Sequence, residues 1–169
     1  AVAGLWSSLL WTLDAKSYEK GTSALSGKLN QPIVDKRLTL RNLPAHEDLL
    51  GIGFTADGLP TVASDWIAEG ELTQLSYDRF TAKVRGIDTI PTLDAPCLSG
   101  TGPSLPTLHE LIKHTERAIL VTNFWYIRTV NPTDLTLTGM TRDGTFLVEN
   151  GAIVSAVKNF RFHESPLQV

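Results

Sequence analysis

Hydrophobic and polar residues first alternate along this chain with the period of a helix. Leucine and tryptophan occupy positions 5, 6, 9, 10 and 13, with polar residues at 7, 8 and 12. Spacings of three and four are typical of an amphipathic α-helix, so we expect a buried helix over residues 5–13. Asp14 is a suitable N-cap for a second helix. Small and polar residues follow at 21–27, where we expect no regular structure.

After Pro32 the pattern changes to short runs separated by turn residues, which is typical of strands. Residues 38–41 alternate between apolar and polar and predict a strand. Residues 66–68 and 72–77 flank the pair Glu69-Gly70, which predicts a hairpin turn.

The C-terminal part of the chain carries the clearest strand pattern. Strand-like runs at residues 135–140, 145–148 and 153–157 are separated by Arg142-Asp143-Gly144 and Glu149-Asn150-Gly151. Asp-Gly and Asn-Gly supply the positive φ angles that tight hairpins need. We therefore predict a three-stranded antiparallel meander with one turn at each of these sites.

A long segment rich in proline and glycine, residues 87–106, shows little periodicity and predicts a loop. Thr107 and Glu110 then form a capping box, which predicts a short helix with Leu108, Leu111 and Ile112 on one face. The first half of residues 118–126 has the apolar density of a buried strand. We therefore expect a β-rich α+β fold, in which mostly antiparallel strands accompany N-terminal helices and one short capped helix.

Composition places the chain among soluble globular proteins. Its 169 residues suit one domain over 1–169, and 42% are hydrophobic and 20% charged. No apolar run approaches the roughly 20 residues that span a bilayer, so we expect no membrane contact. The net charge of −3 and the scattered lysines and arginines disfavour nucleic-acid binding. The single cysteine, Cys97, and the absence of a basic segment before the first apolar run predict a cytoplasmic protein.

Two local motifs could carry chemistry. His109, Glu110 and His114 fit the pattern HExxxH, which resembles a zinc site. Residues five apart on a regular helix are separated by about 140°, however, and Glu110 already serves the capping box, so we favour solvated side chains.

An aromatic run, Phe124, Trp125 and Tyr126, is followed by Arg128. Neighbouring side chains on a strand point to opposite faces, so at least one of these aromatics is directed away from the main core. This indicates either a peptide-binding surface or a subunit interface, where Trp, Tyr and Arg are enriched. A sheet packed on both faces within one chain is the alternative.

Three stretches resemble a known family. Residues 20–28 read KGTSALSGK, residues 122–128 read TNFWYIR, and residues 138–145 read TGMTRDGT. In this order they resemble the C-terminal domain of the TldD/TldE (PmbA, modulator of DNA gyrase) metallopeptidase family. Further similar pieces at 75–79, 104–117, 148–151 and 159–162 extend the resemblance over most of the chain.

The resemblance also indicates where this chain departs from the family. In TldD-type members a zinc-binding HExxxH segment stands shortly before KGTS, and here it aligns with residues 6–11. Trp6 and Trp11 then replace the two histidines and Ser7 replaces the glutamate. An indole cannot ligate zinc and serine cannot act as the general base. The family's third ligand, a cysteine, belongs beyond Val169, and Cys97 lies in a segment that does not match.

These departures resemble the TldE side of the family. They imply a non-catalytic subunit that binds no zinc itself and pairs with a TldD-type zinc peptidase, or forms a homodimer, in a complex that degrades or matures unfolded peptides. Trp6 and Trp11 would fill the space that zinc occupies in the partner. The resemblance also implies a fragment or truncated form that lacks the N-terminal domain and the last strands. An active zinc peptidase using His109, Glu110 and His114 stays open as an alternative, as does a self-associating structural module without peptide binding.

Overall fold

The structure is a computed structural model that describes residues 1–101 and 106–168. The chain forms two compact units, the terminal unit of Ala1–Leu9 with Pro103–Val169 and the central unit of Leu10–Gly102. Each unit has its own antiparallel sheet, and the helices are short. This confirms the β-rich α+β class, while the assignment of residues 1–169 to a single domain stays a prediction.

The helices and strands follow one another along the chain in a mixed order. They are α1 (Val2–Leu10), α2 (Ala15–Glu19), β1 (Leu38–Asn42), β2 (Ser64–Ala68), β3 (Glu71–Leu72), α3 (Arg79–Arg85), β4 (Pro96–Gly100), α4 (Leu108–Lys113), β5 (Arg117–Asn131), β6 (Thr136–Glu149), β7 (Ala152–Ala156) and β8 (Arg161–Glu164). Within the described residues, no helix is both long and apolar enough to cross a membrane.

The first helix is displaced from its predicted bounds. It begins at Val2 and ends at Leu10, three residues before the predicted end. Leu13 is nevertheless buried, because the chain turns after the helix and carries this side chain into the core of the central unit. Asp14 caps α2 as predicted, since its Oδ1 accepts a hydrogen bond from the backbone N–H of Ser17 at 2.9 Å.

Residues 21–27 contain no helix or strand, yet they are packed. Ser23, Ala24 and Leu25 are buried. The hydroxyl of Ser23 accepts a hydrogen bond from the N–H of Leu25 at 3.1 Å, and the hydroxyl of Ser26 donates to the carbonyl of Tyr18 at 2.9 Å. The KGTS segment therefore closes a compact turn against α2.

The central sheet has the strand order β3-β2-β1-β4. The predicted turn between β2 and β3 is confirmed, with φ of 48° at Glu69 and 81° at Gly70. The second strand of this hairpin ends at Leu72 instead of continuing to Tyr77. The chain leaves the sheet there because Ser76 pairs with the segment before α2, its N–H donating to the carbonyl of Leu13 at 2.8 Å.

Part of the predicted loop at 87–106 is wrong. Residues 96–100 form β4, which pairs with β1 along its whole length at the edge of the central sheet. None of the five side chains of β4 is buried, so the strand lacks the hydrophobic alternation that would have revealed it. Residues 102–105 of the predicted loop lie outside the described residues.

The helix α3 was not predicted, although its ends carry recognisable signals. Asp78 is its N-cap, with Oδ1 accepting from the N–H of Thr81 at 2.6 Å, and Gly86 ends it with φ of 67°. An aspartate and a glycine at such a spacing are ordinary cap residues. Phe80 and Val84 on this helix are exposed and only Ala82 is buried, so the segment has little of the apolar pattern of a core helix.

The terminal sheet has the order β5-β6-β7, and β8 also pairs with β6. The predicted turn at Asn150-Gly151 is confirmed and joins β6 to β7, with φ of 49° and 81°. The predicted turn at Arg142-Asp143-Gly144 is wrong, because β6 runs through it without reversing. The register steps from Arg142 opposite Asn123 to Thr145 opposite Val121, so the positive φ of Asp143 (65°) serves a β-bulge.

The prediction for the first half of residues 118–126 is confirmed in that these residues form a strand and is wrong in that the strand is not buried. β5 lies at the edge of the terminal sheet, and none of its side chains is buried. Ile119, for example, is 42% exposed. The buried apolar residues of the terminal unit come from α1, β6 and the turn before β6, and they are Leu9, Leu135, Leu137 and Val148.

Candidate functional site

Of the three residues that align with the family's metal motif, Trp6 and Ser7 lie in the middle of α1 and Trp11 directly follows its last residue. Trp6 is half-buried in the helix, and Ser7 is exposed with its hydroxyl donating to the carbonyl of Gly4 at 2.8 Å. Trp11 follows the helix and is 85% exposed. Its indole therefore fills no interior space in the central unit and is available to contact a ligand.

The alternative zinc motif lies on and after α4, where all three of its side chains are exposed. The predicted capping box is confirmed, because the N–H of Thr107 donates to Oε2 of Glu110 at 2.7 Å and the N–H of Glu110 donates to the hydroxyl of Thr107 at 3.2 Å. The bond from the Thr107 N–H, and a second bond that the Thr107 hydroxyl donates to the same Oε2 at 2.9 Å, lower the pKa of Glu110. His109 belongs to the helix and His114 is its C-cap. Among the described residues, no three His, Cys, Asp or Glu side chains form a group that could hold a metal ion.

The aromatic run lies in the middle of β5. The ring of Phe124 meets the ring of Phe162 from β8 edge to face, with centroids 4.8 Å apart. A side chain at Gly139 would collide with Phe162, since a Cβ there would lie 2.7 Å from its ring. Phe124 therefore contributes to the packing of the terminal sheet.

The next two aromatics are exposed and each contacts an arginine. Trp125 is 52% exposed, and the guanidinium carbon of Arg142 lies 4.1 Å from its ring centroid. Tyr126 is 65% exposed, and the guanidinium carbon of Arg128 lies 4.3 Å from its ring centroid. Tyr126 has a φ of 58° at a break in register, which turns its side chain out of the regular strand alternation. The run thus presents two cation–π pairs beside a sheet edge.

The central unit contains a further site that the sequence did not predict. A cavity of about 480 Å³ is lined by four segments of the chain. Its size falls in the range of small-molecule and peptide side-chain pockets. The residues that line it are Asp14, Lys16, Thr55, Ala56, Asp57, Leu59, Ser76, Tyr77, Asp78, Thr81, Thr89, Ile90, Pro91 and Thr92.

Carboxylates dominate the charge of this cavity. The hydroxyl of Thr55 lowers the pKa of Asp57, and hydrogen bonds from Thr81 lower the pKa of Asp78. Both groups are therefore ionised at neutral pH. Burial raises the pKa of Tyr77, so its phenol stays neutral. Lys16 is the single cation in the lining.

The chain is similar in fold to solved structures that include proteins from three organisms. A protein described as a modulator of DNA gyrase from Bacteroides thetaiotaomicron is 27% identical, with a TM-score of 0.78 over 95% of this chain. TldE from Thermococcus kodakarensis is 22% identical with a TM-score of 0.79 over 99%, and a modulator of DNA gyrase from Thermotoga maritima is 21% identical with a TM-score of 0.72 over 92%. The latter two show the shared fold alone.

The chain corresponds to 36%, 40% and 37% of these three structures in turn, and so spans well under half of each. No curated protein matches its sequence. The model of the family described as PmbA/TldA metallopeptidase C-terminal domain matches residues 1–169, which is the whole chain, and this protein therefore belongs to that family.

Proposed function

We propose that this chain is a TldE-like, non-catalytic domain that acts beside a TldD-type zinc peptidase in degrading or maturing unfolded peptides. In this proposal residues 1–169 act as one domain, zinc is held by the partner, and the complex works in the cytoplasm. The single cysteine, Cys97, supports that compartment because it leaves no possibility of an internal disulfide.

The identity of three side chains carries the proposal. Trp6, Ser7 and Trp11 stand where the resemblance places histidine, glutamate and histidine. Zinc hydrolases need nitrogen, oxygen or sulfur ligands and a base that takes a proton from the attacking water. Neither indole can bind zinc through a lone pair, and the hydroxyl of Ser7 already donates to a backbone carbonyl of its own helix.

The edge of the terminal sheet supports a role in holding peptide. β5 is 15 residues long and pairs with β6 on one side. An extended peptide can add to such an edge through main-chain hydrogen bonds, which accept many sequences. The exposed rings of Trp125 and Tyr126 stand on this strand and would contact the side chains of the added peptide or the partner subunit.

Reconstitution with a TldD-type zinc peptidase tests the proposal. We expect the chain alone to contain no stoichiometric zinc and to leave an unfolded peptide intact. Mixed with the partner, it should co-elute in size-exclusion chromatography and increase cleavage above that of the partner alone. A chelator should abolish that cleavage by acting on the partner.

Two results would replace the proposal with a rival. Stoichiometric zinc that is lost in a His109→Ala/His114→Ala variant would identify an active peptidase that uses the helix α4 motif. Self-association that excludes the TldD-type partner, without peptide binding, would identify a structural module.

A further inference from the structure

We propose that the cavity of the central unit and a smaller apolar cavity beside it form one groove, which holds a basic residue of an extended peptide next to an apolar one. The inference rests on the proposed function only in taking the ligand to be a peptide. It specifies which peptides bind, and it gives Trp11 a role that alignment with the metal motif does not.

The two cavities share part of their lining. The smaller one, of about 110 Å³, shares Asp14, Ser76 and Thr92 with the larger one. Its other lining residues are mostly apolar and are Leu10, Trp11, Leu13, Trp66 and Leu93. A ligand that lies across the shared residues would therefore meet carboxylates on one side and aromatic and aliphatic surface on the other.

Backbone hydrogen bonds hold the floor of this groove in place. The N–H of Ala15 donates to the carbonyl of Ser76 at 2.9 Å, which fixes the segment before α2 against the segment before α3. Tyr77 and Ile90 exchange two backbone hydrogen bonds, at 2.9 and 3.0 Å. A groove that exists before the ligand arrives loses less conformational entropy on binding.

The charge of the larger cavity selects the ligand. Three carboxylates, those of Asp14, Asp57 and Asp78, face one ammonium, that of Lys16. Arg79 donates to Asp57 from Nε at 3.3 Å, which reduces but does not cancel the negative charge. Carboxylates in a partly enclosed site attract cations more strongly than they would in open water. A lysine or arginine side chain brings both the positive charge and the aliphatic stem that Leu59, Ile90 and Pro91 can cover.

The smaller cavity selects the neighbouring residue. Trp66 is buried and its Nε1 donates to the hydroxyl of Ser64 at 3.1 Å, so its ring forms a fixed wall. Trp11 is 85% exposed and lines the same cavity. An apolar side chain placed there would remove part of this indole from water, which is the usual source of affinity at exposed tryptophans.

Fluorescence anisotropy with short labelled peptides tests the groove. One peptide carries lysine beside leucine in a neutral unfolded sequence, a second has norleucine in place of the lysine, and a third has serine in place of the leucine. The expected order has the first peptide binding tightest. The affinity of both lysine-containing peptides should fall steeply with salt, and the affinity of the norleucine peptide should not.

Four variants of the 169-residue chain locate the contacts, and a fifth serves as the control. Asp14→Asn and Asp78→Asn keep their helix caps, since asparagine is as good an N-cap as aspartate. Each should lower the affinity for the lysine-containing peptide by up to about fivefold. Trp11→Ala should lower the affinity for the leucine-containing peptides by about tenfold. The affinity of Trp11→Phe should lie between those of Trp11→Ala and the parent chain. Glu47→Gln removes an exposed carboxylate that does not line either cavity, and should change nothing.

The possible failures are distinguishable. Equal binding of all three peptides, or of the parent and the two aspartate variants, would overturn the groove and leave the proposed function standing. Binding of no peptide by the parent chain, together with no effect on a TldD-type partner, would overturn both. Circular dichroism and thermal unfolding of each variant separate loss of contact from loss of fold.

Discussion

The guanidinium of Arg142 stacks on the indole of Trp125, its carbon 4.1 Å from the ring centroid. Arg142 lies opposite Asn123 in the sheet register, which places it diagonally across from Trp125 on the same face. Such a contact orients a ring that is 52% exposed and would otherwise sample several rotamers. An exposed tryptophan that an arginine holds in one orientation is typical of the residues that dominate binding interfaces.

Removal of this ring should weaken association of the chain with a TldD-type partner. We expect Trp125→Ala to raise the dissociation constant about tenfold, because the variant loses the largest apolar contact of the surface. Arg142→Ala should raise the dissociation constant about threefold, since it removes the cation–π contact but leaves the ring. Isothermal titration calorimetry of the two proteins gives both values.

The matched control is Val130→Ala, which trims a side chain of similar exposure on the same strand. It should change the affinity by less than about twofold. An unchanged dissociation constant for Trp125→Ala would exclude the exposed aromatic run from the interface. Equal losses in all three variants would assign the effect to the strand edge in general.

Asn42 at the end of β1 should be a major contributor to the stability of the central unit. It is only 3% exposed, and its Oδ1 accepts hydrogen bonds from the N–H groups of Asp94 and Ala95 at 3.0 and 2.9 Å. Its Nδ2 donates to the carbonyl of Val62 at 3.0 Å. We expect Asn42→Ala to lower the free energy of unfolding by about 3 kcal/mol, because it strands buried polar groups without partners.

Denaturation in urea, followed by tryptophan fluorescence, measures the loss at Asn42. Gln31→Ala is the control, since this exposed side chain donates a single bond to the carbonyl of Gly27 at 3.1 Å. Removal of the Gln31 side chain should lower the free energy of unfolding by less than about 0.5 kcal/mol. Comparable losses in both variants would mean that Asn42 does not link the three segments as the structure shows.

Two glycines with nearly equal backbone angles should respond differently to the same substitution. Gly70 has φ of +81°, and a Cβ there would lie 2.6 Å from the carbonyl oxygen of Val34. Gly58 has φ of +76° with no atom within 4 Å of its Cβ position. We expect Gly58→Ala to cost about 1 to 2 kcal/mol from the left-handed conformation alone, and Gly70→Ala about 3 to 4 kcal/mol because backbone must also shift.

Thermal unfolding of the two glycine variants under identical conditions provides the comparison. Equal shifts in Tm would show that the collision at Gly70 is relieved at no cost. A larger shift for Gly58→Ala would contradict the packing of the β2–β3 turn against the segment that carries Val34.

Local chemistry predicted the backbone conformation of the turns better than the path of the chain. Asn150-Gly151 and Asp143-Gly144 carry the same signal, and positive φ occurs at Asn150 and at Asp143. The first pair reverses the chain while the second produces a bulge in a continuous strand. The difference depends on β5, which continues past the bulge as a single partner of β6, and a residue pair contains no information about so distant a strand.

For a related reason, the sequence does not correctly predict the edge strands β4 and β5 or the cavity of the central unit. β4 and β5 lie at sheet edges, where no core selects alternating apolar residues, so the sequence predicts a loop in place of β4 and a buried strand in place of the exposed β5. The acidic cavity is built from four segments between Asp14 and Thr92, each unremarkable in sequence. By contrast, the capping box at Thr107 and the N-cap at Asp14 depend on neighbours within three residues and were predicted correctly.

Asp35 should make the stability of the chain depend on acid pH. Its carboxylate accepts hydrogen bonds from the Arg37 side chain at 3.0 and 2.8 Å and from the Arg37 N–H at 2.8 Å, and these bonds lower its pKa from 3.8 to about 2. A carboxyl group with a lowered pKa in the folded state binds protons more readily when unfolded. Its contribution is therefore complete above pH 3.8 and is lost as the pH falls from there towards 2.

Two-dimensional NMR of the carboxyl carbon should follow this titration directly, and urea denaturation at several pH values should follow its effect on stability. Asp35→Asn should flatten the stability profile between pH 4 and pH 2, about the window set by the two pKa values. Asp88→Asn, which removes an exposed carboxyl outside any described ion pair, should leave the profile unchanged.

Because the Arg37 side chain is 72% exposed, added salt should move the midpoint of the Asp35 titration upward. A midpoint near 3.8 at low salt would mean that Arg37 does not hold the carboxylate in solution, since its hydrogen bonds are the largest cause of the lowered pKa of Asp35 and the charge of Lys36 contributes less.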